Sequence, residues 1–212
     1  MYLVVDIYYR DDYCNSYLIY NDKLEAILVD PGYDGEKLIE HINKLNLIVK
    51  SILLTHCHYD HIGALEEIFN YFDKPKVYVH ELEFDSISNP RINLSRFNKV
   101  LNFIPSNIEK VVDNEIIHIN GFDIEILHTP FHTSGSCCFY IKSEKAIFTG
   151  GTLFKSSIGR SDLPTGCSKI SQIKASLDKI KRLPLDTKIY PGHGSISTLK
   201  REMDFNPYLR NV

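Results

Sequence analysis

His56-Cys57-His58-Tyr59-Asp60-His61 places four good metal ligands, three imidazoles and a carboxylate, within six positions. In an extended loop the first two histidines point the same way, so both can reach one ion. Asp60 and His61 follow at a turn and can face a second position nearby. The alternative is a solvated polar loop, but burying such a cluster without an ion would be costly. The segment therefore predicts a divalent metal site, with zinc as the expected ion.

Two later histidines complete the predicted site. His132, in Thr129-Pro130-Phe131-His132-Thr133, is the expected third ligand of the ion at His56 and His58. His193, in Pro191-Gly192-His193-Gly194, is the expected ligand of the ion at Asp60 and His61, where the neighbouring glycines allow close approach. Taken singly, either histidine is as compatible with a surface or core position; the upstream cluster makes both expected ligands. The remaining histidines lack ligand spacing and are expected to pack in helices or strands: His41, His80, His118 and His128.

The predicted secondary structure explains how distant segments meet. Strands are expected over 3–9, 16–20, 25–29, 51–54, 76–80, 115–119, 123–128, 137–142, 146–149 and 188–190, and helices over 35–45, 62–72 and 169–182. Hairpin turns are expected at Asn21-Asp22 and Asn120-Gly121. Residues 81–110 are expected to form loop with some helix. The histidine-bearing segments each follow a strand, and loops at the ends of strands commonly gather ligands.

Bulk properties limit the classes of function. The 212 residues suit one domain spanning 1–212, and the net charge of −3 gives no basic surface for nucleic acid or acidic membranes. We expect no membrane span and no signal peptide, and therefore a cytoplasmic protein. Five cysteines without a CxxC pair indicate buried reduced thiols rather than a disulfide scaffold.

Several motifs together resemble the metallo-β-lactamase superfamily, whose signature is HxHxDH, and in particular its short members similar to glyoxalase II (hydroxyacylglutathione hydrolase). The resemblance extends along almost the whole chain and implies an α/β fold, a four-layer αββα sandwich with the metals at one edge of two sheets. Besides residues 56–61, the matching segments are Val29-Asp30-Pro31-Gly32, Thr129-Pro130-Phe131-His132-Thr133-Ser134-Gly135-Ser136, Gly159-Arg160-Ser161-Asp162-Leu163-Pro164, Tyr190-Pro191-Gly192-His193-Gly194 and the tail over 202–209.

The chain departs from the family pattern at one position. The family motif FTGDTLF carries an aspartate that bridges two ions, whereas this chain reads Phe148-Thr149-Gly150-Gly151-Thr152-Leu153-Phe154. Gly151 has no donor side chain, so we expect weaker binding at one site or both. Three interpretations stay open: a mononuclear or weakly dinuclear enzyme, a protein that kept the fold and lost activity, or an engineered Asp→Gly change.

The resemblance implies metal-assisted hydrolysis of a small acyl or thioester substrate. Asp60 is expected to be a ligand or to orient the attacking water. Arg160 is expected to form an ion pair with Asp162 rather than to bind substrate, and Tyr59 and Phe131 to pack rather than to line the mouth. The rivals are a non-catalytic metal-binding protein and a persulfide dioxygenase, although the latter requires the aspartate missing at Gly151. Zinc, iron and manganese, as one ion or two, are all compatible with these ligands.

Overall fold

Two six-stranded β-sheets form the centre of the protein in a computed structural model that describes residues 4–8, 13–97 and 99–210. The first sheet contains, in spatial order, β1 (Val4–Tyr8), β2 (Ser16–Tyr20), β3 (Glu25–Val29), β4 (Ile48–Leu54), β5 (Lys76–His80) and β6 (Ile108–Val111). The strands from β1 to β3 pair in antiparallel fashion, and those from β3 to β6 pair in parallel.

The second sheet is built from the later half of the chain. Its strands and those of a small separate hairpin are, in chain order, β7 (Ile116–Ile119), β8 (Phe122–His128), β9 (Cys137–Ile141), β10 (Ala146–Gly150), the hairpin β11 (Leu153–Phe154) and β12 (Ser157–Ile158), β13 (Lys188–Pro191) and β14 (Ser197–Thr198). The spatial order is β14-β13-β10-β9-β8-β7. Only β10 and β13 pair in parallel, so their carboxyl ends lie at the same edge.

Helices cover the outer face of each sheet. They are α1 (Gly35–Lys44), α2 (Tyr59–Ile62), α3 (Leu65–Tyr71), α4 (Ile170–Lys181), α5 (Leu199–Phe205) and α6 (Pro207–Arg210). Short 3-10 turns occupy Glu81–Ser86, Ser95–Phe97 and Lys142–Glu144. Among the described residues no helix is long and apolar enough to cross a bilayer.

Three apolar clusters hold the layers together. Between the sheets, Ile27 and Val29 of β3 pack with Phe139 of β9 and Phe148 of β10. Outside the first sheet, the cluster joins its strands to α1 and α3; outside the second sheet, it joins the strands to the later helices. Alternating side chains on each strand therefore serve a central and an outer core. This arrangement is the four-layer αββα sandwich that the resemblance of the motifs implies.

The structure corrects two predicted elements. The helix expected over 62–72 is interrupted after Ile62, because Gly63 lies so close to the carbonyl of Gly32 that a Cβ would be 2.2 Å from that oxygen. The amide of Ala64 instead donates to the carbonyl of Pro31 at 3.0 Å. The region expected to be loop with some helix also contains β6, a four-residue edge strand that pairs with β5.

Other predicted elements are confirmed within one to three residues, and both hairpin turns connect paired strands. Of the first predicted strand, Leu3 and Tyr9 lie outside the described residues. The short hairpin β11–β12 and the helices after β14 have no counterpart in the sequence prediction. Those elements are two to seven residues long, too short for a hydrophobic period to be evident.

A candidate metal centre

The segment 55–62 changes conformation at His58, and this change separates its ligands. β4 ends at Leu54, and His58 is still extended (φ −66°, ψ 150°) where it begins α2. The side chains of His56 and His58 therefore project from extended backbone, whereas those of Asp60 and His61 project from one helical turn. His56, His58 and His61 are all buried.

His56, His58 and His132 form the first cluster, which we call the three-histidine group. Nε2 of His132 lies 3.1 Å from Nε2 of His56 and 3.1 Å from Nδ1 of His58. Each residue can offer one nitrogen within 4.8 Å of the other two. Nitrogens around a tetrahedral zinc at 2.0–2.1 Å are separated by similar distances, roughly 3.3 Å.

Asp60, His61 and His193 form the second cluster, which we call the Asp60 group. Oδ2 of Asp60 lies 3.0 Å from Nε2 of His193 and 3.6 Å from Nε2 of His61. The two histidine Nε2 atoms are 3.3 Å apart. The side chain of His193 is 40% exposed, so this group opens to solvent whereas the three-histidine group is enclosed.

Hydrogen bonds fix which ring nitrogens carry lone pairs. Nδ1 of His132 lies 2.7 Å from the carbonyl oxygen of Arg160, which can only accept. The Thr55 hydroxyl donates to the carboxylate of Asp30 at 2.7 Å and so accepts from Nδ1 of His56 at 3.1 Å. Both rings therefore carry hydrogen on Nδ1, and their unprotonated Nε2 atoms face each other.

A bound cation would offset the repulsion between these histidine nitrogens. Two lone pairs at 3.1 Å repel each other, and Nδ1 of His58 lies 3.1 Å from the same His132 nitrogen, while the opposite ring nitrogen of His58, Nε2, is buried with no hydrogen-bond partner. Buried polar atoms are normally satisfied, so imidazole nitrogens that converge in a buried site with their lone pairs facing each other indicate a site for an electrophile. The donor set fits a divalent metal ion of the zinc, iron or manganese type.

The protonation states also suit metal binding. Burial lowers the pKa of His58 to about 3 and that of His132 to about 4, and burial and the neighbouring histidines lower that of His56. These rings are neutral at pH 7, as ligands must be. In the Asp60 group, burial acts to raise the pKa of the Asp60 carboxyl, but His61 and His193 outweigh it and lower the pKa below its usual value.

His61 is held differently from the other histidines. Its Nδ1 donates to Oδ2 of Asp30 at 2.8 Å, deep in the protein. Burial acts to lower its pKa, but Cys14, Asp60 and Asp30 together raise the pKa above its usual value. Without an ion, a proton thus supplies the positive charge that the surrounding carboxylates favour.

Asp30 and Thr55 are supporting residues that spacing alone does not identify. Asp30 follows β3 with φ 51°, and its carboxylate accepts from the Thr55 amide as well as from the Thr55 hydroxyl and His61. The available signal was the motif Val29-Asp30-Pro31-Gly32, whose aspartate lies at the carboxyl end of a parallel strand. One carboxylate therefore orients histidines in both groups.

Gly150 and Gly151 lie where the second sheet approaches the histidines. Gly150 has φ 46°, and a Cβ there would lie 2.1 Å from the hydroxyl oxygen of Thr55. A Cβ at Gly151 would lie 2.1 Å from Cδ2 of His132. The chain therefore offers no carboxylate at the position expected to connect the groups, and His132 fills part of that space.

The other residues considered in the sequence have ordinary roles. Arg160 forms the favoured ion pair with Asp162, through two contacts of 3.0 and 2.9 Å on the surface. Phe131 is fully buried and packs in the outer core of the second sheet, whereas Tyr59 is partly exposed beside Asp60.

The remaining histidines and the cysteines lie in other contacts. His41 pairs with Asp6, His118 pairs with Asp123 on the surface, and His80 stacks on His128 with ring centroids 4.0 Å apart. The five cysteines are free thiols, and all except Cys167 are buried.

Comparison with known proteins agrees with this architecture. A family model described as the metallo-beta-lactamase superfamily matches residues 9–193. A hydroxyacylglutathione hydrolase, GloC, of Haemophilus influenzae is 36% identical over 206 residues, which cover 93% of this chain and 93% of that protein.

Solved structures show the same fold. The crystal structure of BLEG-1, a B3 metallo-beta-lactamase, superposes with a TM-score of 0.89 at 35% identity and covers 97% of this chain and 99% of its own. The protein TTHA1623, solved in a di-iron-bound form, superposes with a TM-score of 0.83 at 30% identity, over 99% of this chain and 100% of its own.

Proposed function

The chain belongs to the metallo-beta-lactamase superfamily, and we propose that it is a metal-dependent hydrolase of thioesters such as hydroxyacylglutathione. The observation that supports the metal requirement is the facing pair of lone pairs on His56 and His132, with Nδ1 of His58 3.1 Å from the same His132 nitrogen. The thioester substrate is supported by the 36% identity to a hydroxyacylglutathione hydrolase and by the segment Gly159-Arg160-Ser161-Asp162-Leu163-Pro164.

The proposed ligands fall into the two groups. His56, His58 and His132 would hold the first ion, and Asp60, His61 and His193 would hold a second, more exposed one. A bound divalent ion supplies a hydroxide nucleophile near neutral pH, by lowering the pKa of water to about 7, and a positive charge for the developing oxyanion. A zinc, iron or manganese ion fits these donors, and one solved relative binds two irons.

Asp60 has a proposed role besides binding metal. As a ligand of the second ion its carboxyl would be ionised, and a carboxylate bound to a cation is a weak proton acceptor. We therefore assign Asp60 to orienting the attacking water through a hydrogen bond, not to removing its proton. The partly exposed His193 leaves this side accessible to a small substrate.

The absence of a carboxylate at Gly151 bears on the second ion. Two nearby dications repel each other, and a shared carboxylate would offset part of that repulsion. In this chain the only carboxylate among the six proposed ligands is Asp60, in the second group. We therefore propose that the three-histidine group is occupied first and that the Asp60 group binds its ion more weakly.

The test combines metal analysis with turnover. Protein loaded with zinc, iron or manganese in turn is analysed for bound metal and assayed with S-lactoylglutathione, with a chelated sample as the control. The proposal requires bound metal and a thioesterase rate that chelation removes. Hydrolysis of a cephalosporin without hydrolysis of the thioester would show that the substrate is wrong. Stoichiometric metal without any turnover would favour a non-catalytic metal-binding protein, and no bound metal would refute the proposal as a whole.

A further inference from the structure

A single buried carboxylate connects the two loops that carry the three-histidine group. Glu83 lies in the 3-10 turn Glu81–Ser86 and is 1% exposed. Its Oε2 accepts from the amide of Cys57 at 3.1 Å, and its Oε1 accepts from the amide of Gly135 at 3.1 Å. Cys57 lies between His56 and His58, and Gly135 lies three residues after His132.

The carboxylate is satisfied by N–H and O–H donors rather than by a cation. Besides the two amides, the Thr133 side chain hydrogen-bonds to it. Within 4–8, 13–97 and 99–210, no lysine or arginine forms an ion pair with Glu83. Since a buried carboxylate without a counter-ion is costly, its contacts with both loops must be well formed.

The approach of the second loop to Glu83 depends on a glycine. A Cβ at position 135 would lie 2.6 Å from Cγ of Glu83 and 2.6 Å from its backbone nitrogen. Only a residue without a side chain allows the amide of position 135 to reach the carboxylate. The Gly135 in Thr133-Ser134-Gly135-Ser136 is therefore explained by the contact with Glu83.

His58 is the member of the group that most needs this support. His56 and His132 are each oriented by a hydrogen bond from Nδ1, to Thr55 and to Arg160. His58 has no such bond, because its Nδ1 faces His132 and its Nε2 has no partner. Its ring position thus depends on its backbone. Two hydrogen bonds hold that backbone: the Cys57 amide donates to Glu83, and the Tyr59 amide donates to the carbonyl of Asn93 at 2.8 Å.

We propose that Glu83 is a positioning residue that sets the distance between His58 and His132, and thereby the affinity of the three-histidine group for a divalent ion. This inference rests on the proposed function, since it assumes that the group binds metal. Glu83 touches neither the reacting atoms nor a ligand nitrogen; it acts through the backbone of the two loops.

Glu202 provides a matched control. It is also fully buried, and it accepts from the Ser156 amide, the Ser197 hydroxyl, the Asn206 side chain and the guanidinium of Arg201. These contacts hold α5 against the β11–β12 hairpin and include neither loop joined by Glu83. Glu202→Gln and Glu83→Gln each replace a buried carboxylate by an amide, and Glu202→Gln also removes the ion pair with Arg201, so it is the more demanding test of stability. Only Glu83 joins the histidine loops.

The test is a competitive zinc titration of the two variants and the unchanged protein, with circular dichroism and thermal unfolding measured in parallel. Glu83→Gln is expected to weaken the tightest zinc site by about 10- to 100-fold, the range found when groups that orient metal ligands are removed. Glu202→Gln is expected to lower thermal stability while leaving that affinity unchanged within about 2-fold.

The outcomes separate this inference from the proposed function. If the unchanged protein binds no zinc, the proposed function fails. If it binds zinc and Glu83→Gln binds zinc equally well, the positioning role is overturned. Should Glu83→Gln not fold, Gly135→Ala disturbs the same contact from the other loop; an unchanged zinc affinity in that folded variant overturns the proposal, and a 10-fold loss supports it.

Discussion

The imidazole of His132 lies so close to Gly151 that a Cβ at position 151 would be 2.1 Å from its Cδ2. The glycine therefore does more than omit a ligand, because it also leaves room for a ring whose Nε2 faces His56 and His58. Any side chain introduced there must move the ring or the backbone.

Gly151→Asp tests whether a shared carboxylate is what the centre lacks. We expect this variant to bind more zinc per chain than Gly151→Asn, because both side chains meet the same steric conflict and only aspartate adds negative charge between two cations. Elemental analysis after dialysis against a weak chelator measures the difference. Equal zinc content in the two variants would show that charge at position 151 does not limit metal binding.

His132→Ala and His193→Ala separate the two groups. We expect His132→Ala to lose about one equivalent of zinc and His193→Ala to lose less, because the enclosed three-histidine group is the proposed tighter site. His118→Ala, at an exposed histidine paired with Asp123, is the control and should retain its zinc. A greater loss from His193→Ala would reverse the proposed order of occupancy.

The stacked histidines away from the metal centre predict a dependence on pH. Burial lowers the pKa of His80 to about 4, as do the adjacent His128 and, more weakly, Lys179, while Asp113 acts in the opposite direction. Because the unfolded state has the ordinary pKa of 6.5, it binds more protons between pH 6.5 and 4. The contribution of His80 to the free energy of unfolding is therefore fully present above pH 6.5 and is lost as the pH falls through this window.

His80→Asn should make the protein less sensitive to acid. Neutral His80 accepts the Leu82 amide at the start of its 3-10 turn, a role that asparagine can take without titrating. Urea unfolding at several pH values should show that acid lowers the free energy of unfolding less in this variant than in the unchanged protein, by a difference on the order of 1–2 kcal/mol. His118→Asn serves as the control at an exposed position, and an unaltered pH slope in His80→Asn would contradict the prediction.

Arg160→Ala separates the backbone of this residue from its side chain. The carbonyl of Arg160 orients His132, whereas its guanidinium pairs on the surface with Asp162, 69% and 61% exposed. We expect unchanged zinc content, unchanged KM for the thioester and thermal stability close to that of the unchanged protein, because exposed ion pairs stabilise little. A 10-fold or larger rise in KM would instead assign the guanidinium to the substrate.

Much of the architecture could be predicted because its signals are local. Alternating or continuous apolar strands and the periodic helices 35–45 and 169–182 identify the layers, and each histidine-bearing segment follows a strand end. The break at Gly63 could not be predicted, because it arises from contact with Gly32, which is distant in the sequence. The pairing of residues into the two groups follows from the conformational change at His58.

The supporting residues were harder to predict for the same reason. Glu83 is one of many acidic residues in an irregular segment, and its importance appears only when the folded chain brings Cys57 and Gly135 to it. Gly151 stands out in the sequence because it breaks a motif, but its contact with His132 exists only in the folded chain. Spacing identifies ligands, whereas the groups that orient them are set by tertiary contacts.

Each group draws its members from both sheets. His56 and His132 are 76 positions apart in the chain, and His61 and His193 are 132 apart. An ion at either group would therefore cross-link residues that are distant in the sequence. Cross-links that close long loops lower the conformational entropy of the unfolded chain most. The five cysteines are all free thiols, so bound metal ions would stabilise this fold in the way that disulfides stabilise secreted proteins.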